Sequence, residues 1–252
     1  MNAPLAPAHS RFGGSVAARI LRCPGSVGLV EKVPAHLRKS STYAERGTAL
    51  HAAMVRLIDE SEGLESLVGK TIDDYTITRD DVENVLRPAY AYVDGLLDEP
   101  EAEFYSEQRV TFPTIAGAYG TLDLLVRAGR TIHVIDFKSG SGVRVLALIP
   151  DGDTDILNAQ LLFYAAAARH SLGEFFAGVE TINLTILQPQ SIEADAEMVS
   201  TVPVTHAELD EFIVVFRVAC AEALSDSPRL ARPPLPLLLC KANLSSPYRP
   251  TS

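Results

Sequence analysis

Apolar residues recur every three or four positions along some stretches of this chain and every second position along others, and the change of period marks out its elements. Residues 15–23 (SVAARILRC) and 26–33 (SVGLVEKV) read as two short helices broken by Pro24-Gly25, with Ser26 placed to cap the second. Thr42–Glu60 sets Leu50, Met54, Leu57 and Ile58 at helical spacing. It also carries an internal glycine, Gly47, at a cost of about 1 kcal/mol relative to alanine. After a Gly- and Asp-containing linker, Asp80–Leu97 repeats the helical pattern through Val82, Leu86, Tyr90, Val93 and Leu97. The period then shortens. Phe104–Phe112, Gly120–Val126 and Thr131–Phe137 read as three strands of a meander, the last two joined by a tight turn at Gly129-Arg130. Helical spacing returns over Asp155–His170, strands follow at Val179–Leu187 and Met198–Val204, and Thr205 with Glu208 forms a capping box for a last helix. Helices, three strands, a helix, two strands and a helix predict a mixed α/β (α+β) domain, a central sheet flanked by helices.

A 47% apolar and 21% charged composition with mean hydropathy +0.11 excludes disorder for the bulk of the chain, and 252 residues suit one large domain. The expected organisation is a flexible arm over residues 1–14, a single domain over 15–224 and a Pro/Leu/Ser-rich tail over 225–252, whose PPLPLLLC run cannot continue a helix. Cys23, Cys220 and Cys240 lie too far apart for a disulfide framework or a CxxC metal pair, which fits a reducing compartment. The longest apolar candidate for a membrane span, Leu161–Ala168, is far short of the required length of roughly 18–20 residues. No secretory h-region opens the chain, so a cytoplasmic protein without membrane contact is expected. The formal charge of −10 argues at first against a phosphate-bearing partner. The distribution changes that. Residues 1–46 hold seven Lys and Arg against two acids, whereas the other 206 hold 15 against 30, so a basic stretch containing Arg19, Arg22 and Arg46 precedes Gly47.

The richest chemistry lies between Gly120 and Lys138, where Gly-Thr-Leu-Asp (120–123) on one strand is followed by Val-Ile-Asp-Phe-Lys (134–138) on the next. Strand geometry points Asp136 and Lys138 to one side, and Asp123 can reach that side from the paired strand. Two carboxylates this close repel, and a shared proton or a divalent cation relieves them. Oxygen donors suit Mg²⁺ or Mn²⁺. An Asp-x-Lys triplet alone carries little weight, since both residues could simply face solvent. Company at helical spacing adds to it: Gly47 and His51 share a helix face, where the missing side chain would let a ligand or backbone approach the imidazole, and Gln160 and Tyr164 share another.

In order and spacing, Arg22-Cys23-Pro24-Gly25-Ser26, the GTxxH of Gly47–His51, SEQRV with Glu107, GTLD, IDFKSG and NAQLLFYA together resemble the PD-(D/E)XK nuclease superfamily. The likeness is to its RecB-like and lambda-exonuclease-like branch, in particular phage- or prophage-type members, over roughly Ser15–Ala168. The resemblance implies a restriction-endonuclease-like core and a Mg²⁺- or Mn²⁺-dependent deoxyribonuclease, an exonuclease of phage recombination, repair or replication. It implies that Asp123 and Asp136 bind the metal, helped by His51 and the Phe137 carbonyl, while Lys138 orients or activates the attacking water. Gln160 and Tyr164 match a QxxxY motif that holds the nucleic-acid backbone and braces the site. Glu107 is either a further acid near the metal or an exposed strand residue. DNA is the implied partner, together with a recombination protein or a second copy of the chain. Several relatives hold an iron–sulfur cluster on one N-terminal and three clustered C-terminal cysteines. Three scattered cysteines do not match that pattern, so no cluster is expected and Cys23 reads as a structural thiol. The atypical tail motivates an alternative, a catalytically weak member of the same fold that binds nucleic acid or protein.

Overall fold

The computed structural model describes residues 10–34, 42–152, 154–193, 196–230 and 240–241. Helices α1 (Gly14–Arg22), α2 (Ser26–Glu31) and α3 (Thr42–Asp59) open the chain, as their periodicity predicts. Ser26 does not cap α2: Gly25 holds the N-cap position without a side-chain bond, and the Ser26 hydroxyl instead accepts from Arg19 at 3.1 Å. The linker that follows folds into a short hairpin, β1 (Thr71–Ile72) and β2 (Tyr75–Thr76), turned at Asp73 with φ +51°. Helices α4 (Arg79–Asp81) and α5 (Arg87–Leu97) are joined through a wider π turn at Val82–Leu86, with Thr78 and Asp81 in a reciprocal cap that starts the run.

Strands β3 (Glu103–Thr111), β4 (Tyr119–Ala128), β5 (Thr131–Phe137), β8 (Thr181–Leu187) and β9 (Val199–Val204) make one mixed sheet in the order β3-β4-β5-β8-β9. The β5–β8 pair is parallel and the rest antiparallel. The crossover between β5 and β8 contains the hairpin β6 (Leu148–Asp151) and β7 (Thr154–Leu157), extended by β10 (Cys240–Lys241), and then α6 (Ala159–Ser171). Helical spacing over 155–170 is thus corrected at its start, since Asp155–Leu157 belong to a strand. Asn158 separates the two, accepting from the Gln160 and Leu161 amides as the cap of α6. The last helix, α7 (His206–Ala223), opens with the expected Thr205–Glu208 capping box.

The sheet separates two cores. Ile132, Val134, Ile182 and Leu184 pack with α1, α6 and α7 on one face, while Ile135, Phe137, Val126 and Leu187 pack with α3 and α5 on the other. Because α6 is enclosed by α1, α7 and the sheet, nine of its residues from Ala159 to Ala168 are buried and it has no polar face. No helix among the described residues is long and apolar enough to cross a membrane.

Candidate metal centre

The β3–β4 ladder runs from Glu103↔Arg127 to Thr111↔Tyr119 and skips the position where Glu107 and Asp123 oppose each other. Glu107 sits at φ +43°, a left-handed conformation that costs a non-glycine residue on the order of 1 kcal/mol and is typical of functional sites. The β4–β5 ladder likewise stops at Leu124↔Ile135, and beyond it the Phe137 amide donates to Asp123 Oδ2 at 2.8 Å. A carboxylate therefore occupies the place of a strand carbonyl. Face alternation reverses at the same point: Leu122 joins the core around α6, whereas Leu124, two residues on, joins the core around α3. Asp123 stands at this reversal, where both ladders of β4 are interrupted.

His51 reaches the gap from α3, its Nδ1 3.6 Å from Asp123 Oδ1 and its ring tilted against Phe137 at 5.1 Å. Ligand atoms of His51, Glu107 and Asp123 all lie within 4.8 Å of one another. Asp136, only 3% exposed, approaches from β5. Its Oδ1 accepts from Gln160 Nε2 at 3.0 Å, and its Oδ2 lies 2.7 Å from Lys138 Nζ. That second contact is a charge contact, and no hydrogen bond is aligned on the buried Oδ2.

The electrostatics follow from this crowding. Burial and then the neighbouring Asp136 push the Asp123 carboxyl up to about 7. Burial and then Asp123 raise Glu107. Burial lowers the His51 imidazole, against the pull of Glu107 and Asp136, so it is neutral and free to coordinate near neutral pH. Carboxyls that resist ionising together, a neutral imidazole and a buried carboxylate oxygen held only by a charge contact form a donor set that fits a hard divalent cation.

α6 supports the centre from below. Gln160 fixes Asp136, and Tyr164, 8% exposed, packs its ring onto Gly14 and Gly120, where an added Cβ would lie 2.9 and 2.7 Å from ring carbons. Gly120 of the GTLD stretch is thus a steric requirement of Tyr164. Gly47 is different: a Cβ there would meet only Ser139 Oγ at 3.6 Å, so no backbone of the described residues packs against this helix position.

Two of the three candidate arginines make structural contacts. Arg19 is bound to the Ser26 carbonyl and hydroxyl at 3.1 Å each, tying α1 to α2. Arg46 bridges Asp81 at 2.8 Å and the Ser139 carbonyl at 2.9 Å, which links α3, α4 and the segment after Lys138. Asp81 is almost fully buried, and although burial opposes ionisation, hydrogen bonds from Thr78, Tyr75 and Arg46 hold its carboxyl below the ordinary range. Arg22 is exposed on α1. Two contributors escape sequence reasoning: this Asp81–Arg46 tie, and Gln188 at the end of β8, buried and bonded to three backbone groups of residues 140–145.

Residues 9–247 match the family described as "Protein of unknown function (DUF2800)". The chain belongs to that family. This DUF2800 chain also shares its fold with the crystal structure of a protein from Eubacterium rectale, an exonuclease by provisional assignment. The two are 12% identical, with 89% of this chain and 86% of that one covered at a TM-score of 0.50. An alkaline exonuclease from Laribacter hongkongensis aligns over 84% of this chain and 88% of its own at 11% identity and a TM-score of 0.30. Its complex with dAMP aligns over 82% and 92% at 14% identity and 0.25. Scores at those two levels carry no weight for the fold.

Proposed function

We propose that this DUF2800 chain is a divalent-metal-dependent nuclease of PD-(D/E)XK type acting on DNA, with residues 15–224 as its catalytic domain. The observation that carries the reading is the Asp123–Asp136 pair, half-buried and buried respectively, with His51 and Glu107 beside Asp123 and Lys138 2.7 Å from an Asp136 oxygen. A module that only bound nucleic acid would gain nothing from carboxylates that repel phosphate, so the arrangement favours catalysis over the non-catalytic alternative.

Asp123, Asp136, His51 and Glu107 would hold Mg²⁺ or Mn²⁺, with the Phe137 carbonyl at hand. In such a setting a divalent cation supplies Lewis acidity, acidifying a water and neutralising charge on a phosphoryl oxygen. The chain's own residues do the rest. Lys138, 29% exposed at its side chain, offers an ammonium at the mouth of the site to orient a water and offset phosphate charge. Gln160 keeps Asp136 aimed at the metal, and Tyr164 braces the floor through Gly120. Arg22 meets phosphate from the exposed side of α1, while Arg19 and Arg46 act through the segments they tie. The order of the GTxxH, GTLD, DFK and QxxxY motifs supports an exonuclease of phage recombination or repair, assisted by a partner protein or a second copy.

The test incubates the protein with linear, nicked, circular and single-stranded DNA in Mg²⁺ or Mn²⁺, alongside Asp136→Ala and Lys138→Ala. Metal-dependent cleavage of linear DNA that both variants lose is the expected result. Intact substrates under every condition, or variants as active as the wild type, reject the assignment.

A further inference from the structure

The segment leaving β5 after Lys138 is exposed from Gly140 to Val143. It borders a groove of about 270 Å³ whose walls also include His51, Phe137 and Lys138. Most of its carbonyls are taken up from within the protein. Ser139 O accepts from Arg46, Gly140 O and Val143 O accept from Gln188 Nε2 at 3.2 and 3.3 Å, and Gly142 O accepts from the Ile192 amide at 3.2 Å. The Val145 amide donates to Gln188 Oε1 at 2.8 Å, which closes the staple. By contrast, the amides of Ser139 through Arg144 have no acceptor among the described residues. Over Ser139–Val143 four of five carbonyls are thus satisfied within the protein while the amides are left to the outside, beside an ammonium group.

Two glycines in it lack a structural reason. Neither Gly140 nor Gly142 has a left-handed φ, and a Cβ added to either would meet nothing within 4 Å. Alanine fits both the conformation and the space, and would lower the entropy of the unfolded chain. A glycine that the fold does not need is explained where something outside the chain must come up against the backbone.

We propose that the backbone amides of Gly140–Val143, together with Lys138 Nζ, cradle a phosphodiester phosphate of the nucleic-acid strand lying in the metal centre, and that Gly140 and Gly142 lack side chains to admit it. Backbone N–H groups are common phosphate contacts in nucleic-acid complexes. Gln188 and Arg46 set the height of the cradle from the two sides, Gln188 from β8 and Arg46 from α3. The proposal rests on the nuclease reading and adds to it the phosphate contact beside Lys138.

Gly140→Ala/Gly142→Ala and Lys138→Ala are compared with the wild type in Ca²⁺, by fluorescence anisotropy on a labelled duplex across a KCl series. Calorimetry with Mn²⁺ and a nitrogen-15 NMR titration with inorganic phosphate accompany it. The glycine variant is expected to melt no lower than the wild type, to bind Mn²⁺ equally, and to bind the duplex roughly 10-fold or more weakly. Its salt dependence should match the wild type's, because neutral amides displace no counterions, whereas Lys138→Ala should flatten the slope by about 1. Phosphate should shift the Gly140–Val143 amide resonances. Duplex affinity within about twofold of wild type in the glycine variant, or unshifted amides, overturns the cradle even if the wild type cuts DNA. Shifted amides in a protein that neither binds nor cuts DNA would overturn the nuclease reading, and with it the nucleic-acid origin of the phosphate.

Discussion

Replacing Asp123 by asparagine keeps the shape of the side chain and an acceptor for the Phe137 amide but removes one of two charges that crowd each other. In the folded protein the Asp123 carboxyl holds its proton up to about 7, against an ordinary value of 3.8 in the unfolded chain. Between those values the native state carries a proton that the unfolded state has released, so stability falls as pH rises; the penalty is absent below 3.8 and complete above about 7. The gap corresponds to ~4 kcal/mol at most. The side chain is 19% exposed, so water screens part of that figure, and the variant forfeits a charge-assisted bond from Phe137 that contributes about 1 kcal/mol. The asparagine protein should therefore be more stable than the wild type by ~2 kcal/mol near pH 8 and no more stable near pH 5. For a domain of this size that is a difference of roughly 4–8 °C in melting temperature. Thermal unfolding in EDTA across this range measures it. Comparing the two proteins at each pH removes the effect of His133, whose burial-lowered imidazole makes stability rise with pH up to about 6.5. Mn²⁺ should reverse the order by stabilising the wild type alone. A pH-independent difference, or an asparagine variant less stable near pH 8, would refute the crowded-carboxyl account.

Other substitutions probe the supports. Lys138→Ala should slow cleavage by about 10²–10³-fold at saturating metal while leaving the calorimetric affinity for Mn²⁺ within about twofold; an unchanged rate removes its role at the reacting phosphate. Gly120→Ala forces a methyl to within 2.7 Å of the Tyr164 ring and should cost about 1–3 kcal/mol in urea unfolding, whereas Gly47→Ala should be neutral or stabilising. Arg46→Ala strips the buried Asp81 of its cation and should cost ~3 kcal/mol, with Asp81→Asn in the same background recovering part of it; no recovery would show that the Arg46 stem, not the charge, matters.

Much of the scaffold was legible because its signals are local. The alternation in β5, the Gly129-Arg130 turn and the Thr205–Glu208 cap each depend on residues next to one another, and each occurs where expected. The helical spacing over Asp155–His170 takes in Asp155–Leu157 of β7 because Thr154–Leu157 is short and half polar. Asp151-Gly152, with Gly152 at φ +68°, was the available turn signal. The centre was legible as a set of motifs but not as an arrangement. Period 2 places Leu122 and Leu124 on one face, and nothing in the letters announces that Glu107 breaks the alternation. Counting the β3–β4 register across the 112–118 loop places Glu107 opposite Asp123, where the residue is exposed and its carboxylate lies within reach of His51 and Asp123. Charge carries no address, and Arg46 in the basic stretch reads from the letters only as a candidate phosphate contact. Only the fold shows Asp81, 35 residues away, holding it.

The enclosure of α6 has a consequence for how long different walls of the site persist. Gln160 and Tyr164 stand on a helix buried along most of its length, which should open to hydrogen exchange only when the whole domain unfolds. The opposite wall, from Gly140 to Val143, is exposed chain held by a few bonds to Gln188 and Arg46, and such a segment rearranges in nanoseconds to microseconds. A strand could enter and leave past the quick wall while the slow one keeps Asp136 in register, so that turnover need not disturb the carboxylates at all.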